Sequence, residues 1–261
     1  MGHERVGALP KSREWRQLVG QLGLSAHSSE LVQAVADNTL EQVRGRFARI
    51  QHDPGVQAAF GFLVGLATSD VPAPEEKAKA NPPVDLSKQP SVLRLVSELD
   101  AWIRQYPGSP EYAELAKRAG ADAIAAWTKS KARQGDLFNP ETDAQAVWRS
   151  AGTGAGFCEV SRVFFGKFVE RYLKFFLERE ASAELPTLQA REEFSRRLAD
   201  QMDEISHHAF ETAKITQSFA AGWFNKRVGD GRRPNDEEIQ GFLSYAFGKV
   251  REELRREGAP T

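Results

Sequence analysis

Apolar side chains recur along this 261-residue chain at intervals of three and four, the spacing of helices that turn one face toward a core. Trp15, Leu18, Val19 and Leu22 mark a first helix, with Ser12 placed as its N-cap and Gly23 as its stop. Leu31, Val32, Val35, Leu40, Val43, Phe47 and Ile50 continue the pattern through Glu, Gln, Asp and Arg positions, with a break near Asn38. After Asp53-Pro54 the pattern changes character. Residues 55–68 read GVQAAFGFLVGLAT and carry no charge. A helix apolar all round belongs in an interior, and this one is too short to cross a bilayer. Its Gly61-x-x-x-Gly65 spacing admits a closely approaching neighbour.

Five of the thirteen prolines fall between Ser69 and Pro90, where the only large aliphatics are two Val and one Leu. Proline withdraws a backbone donor and pushes its predecessor out of the α region, so this stretch reads as a tether. The expected organisation is an N-terminal helical unit at 1–70, a Pro-rich linker at 71–91 and a C-terminal helical domain at 92–261.

In the C-terminal part, Val92, Leu95, Val96, Leu99, Trp102 and Ile103 define a helix that stops before Pro107. Ser109-Pro110 supplies an N-cap followed by proline at the first helical position, and Asn139-Pro140 repeats that signal before Val147 and Trp148. Phe157, Val160, Phe164, Phe168, Tyr172, Phe175 and Phe176 then form an aromatic stripe, with Val163, Phe165, Val169, Leu173 and Leu177 beside it. Helix 157–177 is therefore the expected central helix. A pattern from Phe194 to Trp223 predicts one long helix ending at Gly229-Asp230-Gly231. Pro234-Asn235 introduces a last helix with Ile239, Phe242, Leu243, Ala246, Phe247, Val250 and Leu254 on one face. No alternating β-branched run competes, so the expected class is all-α, a bundle-like array of helices in two units.

Charge narrows the partners. Thirty-five cations face thirty-six anions, and the balance is local: seven of each sign over residues 1–70 and eight of each over 93–150. A nucleic-acid binder concentrates cations on one face, and no such domain-scale excess exists here. One cysteine, Cys158, excludes an intrachain disulfide framework. With no apolar run near the length of a membrane span, a cytoplasmic protein without a membrane span is expected.

The densest polar constellation runs from Asp203 to Glu211 and contains Glu204-x-x-His207. Di-iron bundles use this spacing to aim both side chains at bridged metals, but they need two such motifs, and this chain has one. Glu204, His207, His208 and Glu211 remain the candidate ligands of a single metal, with Glu159 or Glu170 completing the shell. Cys158 follows the glycine run Gly152, Gly154, Gly156 at the predicted start of the aromatic helix. A thiol there gains acidity from the helix terminus, whereas a cysteine among aromatics acts as a small hydrophobe. No signature pairs it with a histidine. Trp223, Phe224, Lys226, Arg227, Arg232 and Arg233 gather around the turn at 229–231, a composition suited to a protein hot spot or to single-stranded nucleic acid. Asp230, Asp236, Glu237 and Glu238 stand close enough to cancel much of that charge.

The pattern as a whole implies a non-enzymatic helical interaction protein, a subunit or adaptor of a larger assembly, with a protein partner, no cofactor, and self-association compatible with its apolar helices. Two alternatives stand beside it: a metal-dependent helical enzyme using the Glu204–Glu211 cluster, and a nucleic-acid-binding accessory protein using Trp223–Arg233.

Overall fold

A computed structural model describes residues 47–71, 85–134, 143–184, 187–189, 191–193, 196 and 219–257 of the chain. Helices dominate these residues, and no strand occurs among them. In chain order they are α1 (Phe47–Ile50), α2 (Pro54–Ala67), a single 3-10 turn (Leu86–Lys88), α3 (Val92–Ile103), α4 (Pro110–Gln134), α5 (Ala144–Ala151), α6 (Gly154–Glu184), α7 (Ala221–Gly229) and α8 (Asp236–Glu257). The Ser12–Gly23 and 31–46 patterns lie outside the described residues.

Helix α2 starts where its sequence requires. Asp53 is extended, Pro54 occupies the first helical position, and one oxygen of the Asp53 carboxylate accepts from Gly55 N (2.9 Å) and Val56 N (3.1 Å). The other oxygen accepts from Ser109 N at 2.7 Å, at the entrance to α4. One buried side chain thus caps one helix and pins the start of another. Gly108 makes this approach possible: a Cβ there would lie 2.7 Å from the Asp53 carboxylate and 2.8 Å from Gly55 N. Gly55 plays the same part against α4, since its Cβ would meet that of Ala113 at 2.7 Å.

All of α2 except Pro54 and Gln57 is buried. The helix packs against α3, α4, α5, α6 and α8, so the uncharged segment docks on elements that follow the Pro-rich stretch. Phe60 is its hub. Its ring stacks on Phe242 of α8 (5.2 Å between centroids, 7° between planes) and meets Phe164 and Phe165 of α6 at 5.3 Å each. The aromatic helix α6 lies mainly along α4, and its Phe165 and Phe168 reach Phe247 of α8. Over the described residues α2 is thus covered on nearly every side, while the aromatic helix keeps exposed and half-buried positions. Aromatic stripes need partners on two sides, but a helix with no charge can be covered on every side. Each fully buried Phe contributes about 1.5–3 kcal/mol of transfer free energy.

Helix α3 opens on Ser91, whose hydroxyl accepts from Arg94 N, and closes before Pro107, as its pattern predicts. Helix α4 begins at Pro110 behind Ser109. Helix α5 begins at Ala144 with Asp143 as cap; Asn139-Pro140 lies outside the described residues. Two side chains bind these helices together. Trp127 Nε1 on α4 donates to the Val147 carbonyl of α5 at 3.1 Å, and Arg171 on α6 donates to Asp122 on α4 from two nitrogens.

Of the predicted linker, residues 72–84 lie outside the described ones. Its end is built into the fold: Leu86 and Pro90 are buried. Gln89 adopts the left-handed conformation at φ 49° as the cap of the 3-10 turn.

Candidate functional site

The Trp223–Arg233 segment runs from α7 into the corner before α8, and the fold dictates its geometry. Asn235 and Glu238 make a reciprocal cap at the start of α8: Glu238 N donates to Asn235 Oδ1 (2.9 Å), and Asn235 N donates to Glu238 Oε2 (3.0 Å). The same Glu238 carboxylate receives both terminal nitrogens of Arg232, at 2.8 and 2.6 Å, and one nitrogen of Arg227 at 3.0 Å. Its side chain is only 14% exposed. The Arg232 guanidinium foremost, aided by the Asn235 N–H and Arg227, holds the Glu238 carboxyl below the usual carboxylate range against the opposing effect of burial. The carboxyl of Asp236, two residues earlier, is instead pushed above the usual carboxylate range by desolvation.

Arg233 turns away from this cluster. Its Nε donates to the Val71 carbonyl at 2.7 Å and a terminal nitrogen to the Ser69 carbonyl at 3.1 Å, which ties the corner to the end of α2. Burial lowers its guanidinium from the ordinary value, though Arg remains charged. Arg149 of α5 holds the same turn through Asp70 at 2.6 Å. Of the six side chains, Phe224 is fully buried against Phe157 (4.4 Å), and Trp223 is half-buried between Phe157 and Phe242. Lys226 is exposed. Three of the four cations are engaged within the fold, and Phe224 belongs to the core.

Glu204, His207, His208 and Glu211 lie outside the described residues. Glu159 is half-buried, and Glu170 pairs with Lys167 at 2.6 Å on its own helix. Among the described residues no group of three or more His, Cys, Asp or Glu is placed to hold a metal ion. Cys158 is buried at the fifth position of α6, past the first turn in which a helix terminus acts strongly on a thiol. The terminus itself is capped by Thr153, whose hydroxyl accepts from Gly156 N at 3.0 Å. The neighbouring glycines serve close packing. A Cβ on Gly154 would strike the Asn225 amide at 2.7 Å, and one on Gly156 would collide with the Ser150 carbonyl.

A second region was not marked by any motif. Residues 89–91 after the 3-10 turn, with α3, α4 and α5, border an open groove of about 630 Å³, with walls that include Pro90, Val92, Leu95, Thr128, Val147 and Trp148. At its edge the Gln89 amide bridges to α5: Nε2 donates to Asp143 Oδ1 at 2.6 Å, and Oε1 accepts from Ala144 N at 2.7 Å. This donation, with the Gln145 N–H, keeps the Asp143 carboxyl below its ordinary range. Leu93, on the same helix as two of the wall residues, is 82% exposed. Periodicity alone could not find this surface, because Gln89 and Asp143 are 54 residues apart and neither belongs to a recognisable pattern.

No protein-family model, curated protein or solved structure matches the chain.

Proposed function

We propose that this chain is a helical interaction protein that works without catalysis, as a subunit or adaptor holding a protein partner. The observation that carries the reading is the use made of polar groups. Asp53, Gln89, Asp143, Arg233 and Glu238 each cap a helix or fasten one element to another. What supports a binding surface is shape and apolar side chains: the groove walled by Val92, Leu95 and Val147, and exposed large hydrophobics of which Leu93, with Leu188, stands out most. No helix among the described residues is long and apolar enough to cross a membrane. Single exposed apolar residues are common on any surface; the reading joins Leu93 to the groove because both belong to α3, whose Val92 and Leu95 line it.

The experiment is a paired capture. The full chain and its Leu93→Glu variant are used as bait against the same extract, with light scattering to follow self-association. Leu93 is 82% exposed, so the variant should keep the wild-type circular dichroism and denaturation midpoint. The expected result is a stoichiometric protein partner, or a dimer, present with the wild type and lost with the variant. A wild type that stays monomeric and captures nothing, or a partner held equally by both, overturns the proposal for this surface.

A further inference from the structure

We draw no further inference here: the strongest candidate, the open groove bordered by residues 89–91 and helices α3, α4 and α5, carries nothing beyond the surface already described, because the Thr128 hydroxyl that lacks a partner in its wall sits on a side chain only half-buried and nothing in the structure shows what covers the groove.

Discussion

Helix α2 and the α7–α8 corner are opposites in sequence. One has no charged residue from 55 to 68, and the other gathers four cations and four acids within sixteen residues, 223–238. The bland segment proves the more decisive for the fold. Removing every charge leaves a helix no solvated face, so five other helices pack around it. Concentrating charges of both signs has a different consequence. Neighbouring acids and bases neutralise one another locally, and Glu238 takes up Arg227 and Arg232 while Arg233 finds backbone carbonyls. The lesson is that a cluster rich in arginine should be set against the acids that the next turn and helix bring to it before a partner is assigned to it.

The comparison can be broken first at its apolar pole. Phe60→Ala removes a ring that meets Phe157, Phe164, Phe165 and Phe242, and a cavity at such a hub should cost about 3–5 kcal/mol. Urea denaturation followed by tryptophan fluorescence measures the loss. A cost below about 1 kcal/mol, the scale of a surface substitution, would mean that α2 is not enclosed as described.

Asp53→Ala probes the polar device that seats α2. Three backbone N–H groups lose their acceptor, for an expected loss of about 2–3 kcal/mol. Asp53→Asn retains one side-chain oxygen and should recover part of that loss, which separates capping from simple disruption of the site.

Glu238→Gln sharpens the other pole. Because the Glu238 carboxyl is held below its ordinary range in the fold, its stabilisation is fully present above the unfolded carboxylate value and fades as pH falls through the lowered folded value. The wild type should therefore exceed the variant by about 1–2 kcal/mol near neutral pH, and the gap should close on acidification. Denaturation midpoints across that range check the sign. A gap that persists unchanged in acid contradicts the ion-pair account.

Local signals with a single physical cause were legible from the chain. Asp53-Pro54 and Ser109-Pro110 name their helix starts because a capping oxygen and a fixed proline φ act within a few residues. The uncharged run 55–68 announces burial for the same reason. How many neighbours would cover each helix was less legible, since periodicity ranks faces and cannot say which elements will pack on them. The groove at Gln89 was invisible, because it depends on a left-handed residue and a side-chain bridge to Asp143 across 54 residues. In the arginine corner, composition marked a charged segment, but the partners of Arg227, Arg232 and Arg233 within the fold had to be seen. The reach of Arg233 back to Ser69 and Val71 spans more than 160 residues.

The account turns on whether the corner cations hold the fold together or hold something else. The Arg232→Ala, Arg233→Ala double variant should lose about 1–3 kcal/mol in denaturation, mostly through the half-buried Arg233, since solvent screens Arg232. It should leave the binding of a single-stranded oligonucleotide, and of any protein captured through the Leu93 surface, at the wild-type level. An undiminished stability accompanied by lost binding of either kind would contradict the account and return the corner to the status of a recognition surface.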